Sequence, residues 1–300
     1  MRPRKVAIIG GAGSTARNGL VPMFDTMATE FFGKDHGIEL IGFDIEQNLD
    51  LLIDLYGKDR AFALDVTQTE QGWENLEGVT HVINTVMAAP GAGIEDYERV
   101  AKLVHEGGMR NLIHFADLYG VDTIGHMGTF NEYDDPAHTA FEALYGEKLT
   151  EDLKKFPAKQ RKGIWYAITK WNAFLIAEKY VKAAADGRDP VKIAAGVFSG
   201  ITSSTSTRGD SWNKLKQEKR LGPHNTHIED VAQFLYRLVF CPTEDVFTNP
   251  EVPIERYFCG QRHSKLPWSI DKAIRNLGYD PFYSTDVKFD KSGTAVQSFN

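Results

Sequence analysis

Cysteine is scarce in this chain, and long apolar runs and an excess of positive charge are absent. Only Cys241 and Cys259 occur among the 300 residues. They are too few for a disulfide framework and lack the spacing of metal ligands. No apolar run approaches the ~18 residues of a transmembrane helix, and the net charge of -7 argues against a nucleic-acid-binding protein. We therefore expect a cytoplasmic protein with no bound metal, whose partners include neither nucleic acid nor membrane.

Strand-like and helix-like segments alternate along the first two thirds of the chain. Apolar, β-branched runs separated by segments of helical spacing occur at 5–9, 39–43, 61–64, 79–86, 121–126 and 191–198. This alternation predicts a parallel sheet with helices on both faces. With 42% hydrophobic residues, the chain can build the large core that such a sheet requires. The predicted fold class is a Rossmann-type, doubly wound α/β fold.

The pattern changes after residue 198, and this change suggests a division of the chain. Residues 199–226 are rich in Ser, Thr, Gly and Lys, and helical spacing returns near residue 228. We predict a dinucleotide-binding domain at 1–198, to which 227–241 returns, and a smaller, discontinuous substrate-binding region at 199–226 and 242–300. The polar, helix-prone segment 134–163 is interpreted as a lid or substrate wall, or as a surface elaboration.

A glycine-rich turn, GGAGSTA at 10–16, follows the first predicted strand and precedes a helix. Glycine permits a tight turn and lets backbone N–H groups approach a pyrophosphate. Asp44 closes the next strand, where a carboxylate can accept hydrogen bonds from ribose hydroxyls and repel a 2′-phosphate. The pattern favours NAD over NADP, although Arg17 could instead attract a phosphate. The alternatives are a plain βα turn, and a loop acid or helix cap at Asp44.

The segment YAITK at 166–170 places Tyr166 and Lys170 on one face of a helix. A phenol has a reference pKa near ~10, so it is a poor acid-base group at neutral pH without help. A nearby cation stabilises the phenolate and brings proton transfer within reach. Together with the glycine-rich turn, the pair indicates hydride chemistry on a nicotinamide cofactor. The alternative is a packing tyrosine beside a solvated lysine.

These segments together resemble the extended short-chain dehydrogenase/reductases, the family of nucleotide-sugar epimerases and dehydratases. Gly10, Gly13 and Ala16 fall on the family's Gly-x-x-Gly-x-x-Gly motif. Asp65-Val66, the NTVMAAP run at 84–90 and the HIEDVA run at 227–232 match further family segments. Two departures stand out. Asn18, Gly19 and Pro22 are unusual at the first helix and suggest a longer phosphate loop, and GVFSGI at 196–201 weakens the case for a nucleotide sugar.

The resemblance implies a catalytic triad and a set of cofactor contacts. The triad is Thr129, Tyr166 and Lys170, in which the threonine donates a hydrogen bond to the substrate oxygen and the tyrosine gives or takes its proton. The lysine would also bind the nicotinamide ribose. The implied cofactor-binding residues are Gly10, Gly13, Ser14, Thr15, Ala16, Asp44, Asp65, Val66, Val86, Ala88, Tyr166 and Lys170.

The leading functional hypothesis is an NAD-dependent oxidoreductase that acts on a secondary alcohol or ketone of a sugar-like small molecule. The alternatives are a nucleotide-sugar epimerase with retained NAD and, in another class, a non-catalytic nicotinamide-sensing protein. In relatives, the helices corresponding to 95–119 and 166–185 pack across a two-fold axis. Phe174 and Ile176 point to nearly opposite sides of the second helix, so we predict a homodimer built on these two helices.

Overall fold

The fold is described from a computed structural model. The described residues are 4–88, 96–129, 164–184, 189–198, 200–202, 225–262, 268–283, 288–289 and 295–296. The segment 134–163, interpreted above as a lid, a substrate wall or a surface elaboration, lies outside them.

Seven parallel strands form one sheet in the order β3-β2-β1-β4-β5-β6-β9. Its strands are β1 Lys5–Ile9, β2 Glu39–Asp44, β3 Ala61–Ala63, β4 His81–Asn84, β5 Thr123–Met127, β6 Lys192–Val197 and β9 Ile254–Phe258. Two two-stranded pairs join β7 Ile201–Thr202 to β8 Thr226–His227, and β10 Lys288–Phe289 to β11 Ala295–Val296. The strand order reverses beside β1, which is where open α/β sheets form their binding crevice.

Helices connect the strands and cover the sheet. They are α1 Val21–Phe32, α2 Leu49–Tyr56, α3 Tyr97–Ala101, α4 Gly108–Leu118, α5 Ile164–Ala184, α6 Ile228–Phe240, α7 Thr243–Val246 and α8 Asp271–Leu277. Two π-helical turns, Ala16–Leu20 and Lys102–Gly107, lead into α1 and join α3 to α4. Short 3₁₀ turns lie at Glu46–Asn48, Lys58–Arg60 and Trp73–Leu76.

Both faces of the sheet are buried, which explains why most residues of its central strands are apolar. On one face Val6 and Ile8 pack in a core with α1 and α6. On the other face Ala7 and Ile9 join a core built with α4 and α5. Side chains alternate between the faces along each strand, so two cores share one sheet. The predicted doubly wound α/β architecture is confirmed.

The first helix corrects one expectation from the sequence. Helical structure begins at Ser14, and the Arg17 amide donates to the Gly13 carbonyl at 3.0 Å. The phosphate loop is therefore short, and the expectation of a longer loop is wrong. Asn18 and Gly19 lie in the π-helical turn instead, and Pro22 lies in the first turn of α1. A Cβ on Gly19 would lie 2.9 Å from the Ile228 carbonyl oxygen. Glycine there allows the first helix to approach α6 closely.

The last strand of the sheet, β9, lies within the 242–300 range that the sequence assigned to the substrate-binding region. Its partner β6 lies in the range assigned to the dinucleotide-binding domain, with Ala195 opposite Arg256. The substrate-binding role of the remaining C-terminal residues stays a prediction. Within the described ranges, no helix is long and apolar enough to cross a membrane.

Candidate active site

The glycine-rich turn after β1 is held by backbone hydrogen bonds. The amides of Gly10 and Gly11 both donate to the Phe43 carbonyl at 2.9 Å, and the Gly13 amide donates to the Gly10 carbonyl at 3.0 Å. Gly10 has a φ of +85°, which strongly favours glycine. A Cβ there would lie 2.8 Å from Thr85 Oγ1. The turn thus combines a left-handed conformation with a close approach to the end of β4.

Asp44 connects the end of β2 to this turn. Its Oδ2 accepts the Ala12 amide at 3.0 Å, while its Oδ1 accepts the Ile45 amide at 2.9 Å and Asn48 Nδ2 at 2.8 Å. The carboxylate therefore also orders the turn, a contribution that the sequence did not predict. Arg17 is exposed and is not among the residues that line the adjacent cleft.

The segment 84–88 forms the opposite wall of the cleft. Asn84 Oδ1 accepts the Val86 amide at 3.1 Å, and Asn84 Nδ2 lies 3.3 Å from His126 Nδ1. Thr85 Oγ1 donates to the carbonyls of Ile9 and Gly10 at 3.0 and 3.2 Å. Side chains at the end of β4 therefore hold both this wall and the start of the glycine-rich turn.

Tyr166 and Lys170 lie near the start of α5 and both face the cleft. Lys170 is only 2% exposed, and its Nζ donates to the carbonyls of Val86 at 2.7 Å and Met127 at 2.9 Å. The ammonium is thus fixed between the ends of β4 and β5. The Tyr166 hydroxyl lies 3.4 Å from Met87 Sδ. A buried cation one helical turn from a cleft-facing phenol is the arrangement expected for acid-base chemistry.

The charge of Lys170 also acts on two buried histidines. Burial first, and then the Lys170 charge, lower the pKa of His105 to about 2 and that of His126 well below its usual value. His126 Nε2 has no hydrogen-bond partner among the described residues. Both rings are therefore neutral at ordinary pH.

These elements enclose a cleft of about 380 Å³. Most of the sequence-predicted site residues line it: Gly10, Gly13, Ser14, Thr15, Asp44, Asp65, Val66, Val86, Tyr166 and Lys170. Ala16, Ala88 and Thr129 are buried and are not among its lining residues. Asp65 Oδ1 accepts hydrogen bonds from the amide and hydroxyl of Thr67 at 2.9 and 2.8 Å. The roles of these residues remain predictions.

Sequence reasoning missed several lining residues. They are Ile9, Ala12, Ile45, Asn48, Leu64, Thr85, Met87, Val104 and Met127. Most of them lie within a few residues of a predicted site residue, so strand-end position could have indicated them. Val104 is an exception, because it lies in the Lys102–Gly107 turn, for which the sequence carried no functional signal.

The cleft fits a dinucleotide in shape and chemistry. Gly10 and Gly13 line the cleft beside Ala12, Ser14 and Thr15, and the first helix begins there, a combination that suits a pyrophosphate. Asp44 and Asp65 line the end near β2 and β3, while Tyr166 and Lys170 line the end near β4 and β5. The residues present could therefore hold the cofactor that the sequence predicts.

Comparisons with known proteins give the fold its class. No protein-family model and no curated protein sequence matches the chain. Solved structures do match. A short-chain dehydrogenase/reductase superfamily protein from Agrobacterium tumefaciens with bound NAD has a TM-score of 0.63 at 14% identity, with 94% of each chain covered. The predicted resemblance is thus confirmed at the level of the fold, which is that of the extended short-chain dehydrogenase/reductases.

Two further structures show the range of activities carried by similar folds. The uronate dehydrogenase from Agrobacterium tumefaciens has a TM-score of 0.63 at 14% identity, and the match covers 95% of this chain and 87% of that one. A mutant UDP-glucuronic acid 4-epimerase from Bacillus cereus, in complex with NAD and a fluorinated substrate analogue, also has a TM-score of 0.63 at 14% identity. That match covers 93% of this chain and 95% of the epimerase.

Proposed function

We propose that this chain is an NAD-dependent oxidoreductase that acts on a secondary alcohol or ketone of a sugar-like substrate. The observation that carries the proposal is the shared cleft. Tyr166, the buried Lys170, the glycine-rich turn and Asp44 all line it. The uronate dehydrogenase and the epimerase with similar folds support a sugar-like substrate. Bound in this cleft, the nicotinamide ring would supply the acceptor or donor of a hydride.

Each residue has a distinct part in this proposal. Tyr166 exchanges a proton with the substrate oxygen, since its hydroxyl reaches the cleft. Lys170 stabilises the phenolate form of Tyr166, because its ammonium is fixed nearby and screened from water. Thr129, two residues beyond the end of β5, is the proposed hydroxyl partner of the substrate. Asp44 accepts hydrogen bonds from the adenosine ribose and disfavours a 2′-phosphate.

A direct test combines cofactor binding with a substrate screen. Purified protein is titrated with NADH and NADPH by fluorescence and is then incubated with NAD and a panel of free uronates, neutral sugars and UDP-sugars. Absorbance at 340 nm reports net oxidation, and chromatography of the products reports epimerisation. Epimerised UDP-sugar without accumulated NADH would support the epimerase alternative. Cofactor binding without any turnover would support the sensing protein.

The Tyr166→Phe variant tests the acid-base assignment. Loss of the phenol should lower turnover by ~10²-fold or more, because general acid-base catalysis contributes about that much. NADH affinity should change little, since the ring and the helix remain. Tyr180→Phe is the matched control on the same helix, as the Tyr180 hydroxyl donates to Asp117 at 2.9 Å instead. Turnover near the wild-type rate in Tyr166→Phe would contradict the assignment.

We also propose the homodimer that the sequence predicts. Leu103, in the Lys102–Gly107 turn, is 45% exposed, and Leu175 on α5 is 39% exposed, so both elements carry apolar surface outside the core. Leu175→Glu should shift the mass measured by light scattering toward the 33.6 kDa monomer. Phe282→Glu is the control, because Phe282 is 62% exposed and lies outside both helices. A wild-type monomer at micromolar concentration would overturn the proposal.

A further inference from the structure

Four side chains hold the backbone of the cleft wall at Val86 and Ala88. The Val86 amide donates to Asn84, and its carbonyl accepts from Lys170. The Ala88 amide donates to His105 Nε2 at 2.9 Å, and its carbonyl accepts the Tyr97 hydroxyl at 2.7 Å. Every amide and carbonyl of these two residues is therefore satisfied by a side chain.

His105 also contacts the helix that carries Tyr166, to which Lys170 itself belongs. Its Nδ1 lies 2.7 Å from Thr169 Oγ1, and the Thr169 hydroxyl donates to the Trp165 carbonyl at 2.6 Å. The rings of His105 and Tyr166 pack edge to face, with a centroid distance of 5.5 Å and an interplanar angle of 73°. A continuous hydrogen-bonded chain thus runs from Ala88 through His105 to the first turn of α5.

The partners specify one tautomer of this histidine. The Ala88 amide can only donate, so Nε2 must be the acceptor. The Thr169 proton is directed at Trp165, so Nδ1 must carry the proton and donate it. Protonation of Nε2 would place a donor against the Ala88 amide and would break the hydrogen bond between them. The burial of His105 and the nearby Lys170 charge keep the ring neutral.

We infer that His105 is a positioning residue that joins the cleft wall at 86–88 to the helix bearing Tyr166 and Lys170. The inference rests on the proposed function, because the wall and the helix matter together only if a nicotinamide dinucleotide binds between them. His105 itself does not line the cleft. It acts through Ala88 on one side and Thr169 on the other, and so fixes the distance between two surfaces that must contact one ligand.

NADH titration of a double-mutant cycle tests this coupling. His105→Leu should weaken NADH binding by ~10-fold, and Thr169→Val, which removes only the hydroxyl, by ~3-fold. The double variant should bind NADH as weakly as His105→Leu alone, because both changes break the same series of hydrogen bonds. Thr169→Ser keeps the hydroxyl and should stay within about twofold of wild type. His114→Leu is the control, since His114 is exposed on α4.

A spectroscopic measurement on the wild-type chain keeps the test independent of variant folding. With ¹⁵N-labelled histidine, NMR should find the His105 ring neutral with its proton on Nδ1 down to pH 5.5, assigned by the signal missing from His105→Leu or His105→Asn. Additive losses in the cycle, a Thr169→Ser variant as weak as Thr169→Val, or a proton on Nε2 would overturn the inference. Failure of the wild-type chain to bind NADH would instead overturn the proposed function, and the coupling role of His105 with it.

Discussion

The two walls of the cleft are built by different means. The glycine wall, residues 10–16, combines a left-handed Gly10 and backbone hydrogen bonds to Phe43 with hydrogen bonds to the side chains of Asp44 and Thr85. The side-chain wall, residues 84–88, is held by the side chains of Asn84, Tyr97, His105 and Lys170. The first depends on a conformation that glycine permits, and the second on the hydrogen-bonding state of distant residues. The glycine wall should therefore be sensitive to a side chain added at a glycine, and the side-chain wall to protonation of the residues that hold it.

A fall in pH should have the largest effect on the stability of the fold, because several buried histidines are neutral in it. Burial lowers the pKa of His105 to about 2 and of His81 to about 4, and it holds the pKa of His126 well below 6.5. These rings stay neutral in the folded chain but accept a proton when unfolded below pH 6.5. The stability they permit is complete above pH 6.5 and is lost as the pH falls. Between pH 6.5 and pH 5, each of these histidines should lower the free energy of unfolding by about 2 kcal/mol.

Urea unfolding at pH 7.5, 6.5 and 5.0 measures this loss. In His105→Gln, the decrease in the free energy of unfolding between pH 6.5 and pH 5 should be smaller by about 2 kcal/mol, because one titrating group is gone. His114→Gln should leave the drop unchanged, as that side chain is exposed. A wild-type stability that stays level from pH 7.5 to pH 5 would contradict the picture of buried neutral histidines.

The glycine wall should respond to a single methyl group. Ala at position 10 must adopt a φ of +85° and place its Cβ 2.8 Å from Thr85 Oγ1 and 3.1 Å from the Val86 amide nitrogen. We expect Gly10→Ala to lower the free energy of unfolding by about 2 to 3 kcal/mol. Gly78→Ala isolates the conformational part, since Gly78 has a φ of +75° and nothing within 4 Å of the added atom.

That control should cost only about 1 kcal/mol, the strain of a left-handed residue other than glycine. Chemical denaturation of both variants at pH 7.5 gives the difference between them. Equal losses in Gly10→Ala and Gly78→Ala would mean that the contact with the end of β4 contributes nothing. The two walls would then be independent at this point.

The same contrast explains what could be predicted from the sequence. The glycine wall follows from local signals: a β-branched strand, a glycine-rich turn and a carboxylate closing the next strand. The parallel alternation, the helix 228–240 and the Tyr166–Lys170 spacing are also local patterns, and the structure has each of these elements.

The side-chain wall could not be predicted in this way. His105 and Thr169 are 64 positions apart, and Lys170 and Val86 are 84 apart. Neither pair carries a spacing signal, because tertiary packing alone brings them together. The phosphate loop was expected to be longer than it is for a related reason. Asn18, Gly19 and Pro22 look like loop residues locally, yet close packing against Ile228 favours glycine within a helical turn.

The smallest expected effect concerns cofactor choice at the glycine wall. The Asp44 carboxylate accepts three hydrogen bonds, from Ala12, Ile45 and Asn48. An asparagine there keeps one acceptor oxygen but loses the negative charge that repels a 2′-phosphate. The preference for NADH over NADPH, measured as a ratio of dissociation constants, should fall by ~10-fold, or about 1.4 kcal/mol.

Asp65→Asn is the matched control for Asp44→Asn, because Asp65 also lines the cleft but is hydrogen-bonded to Thr67. Its effect on the ratio should stay within about twofold, since its Oδ1 already accepts hydrogen bonds from the amide and hydroxyl of Thr67. Tighter NADPH than NADH binding in the wild-type chain would show that another group, such as Arg17, governs the choice. A fall in both affinities with an unchanged ratio in Asp44→Asn would assign this carboxylate to ordering the turn alone. In that case the glycine wall would bind the cofactor through its backbone, and the charge at its edge would contribute no selectivity.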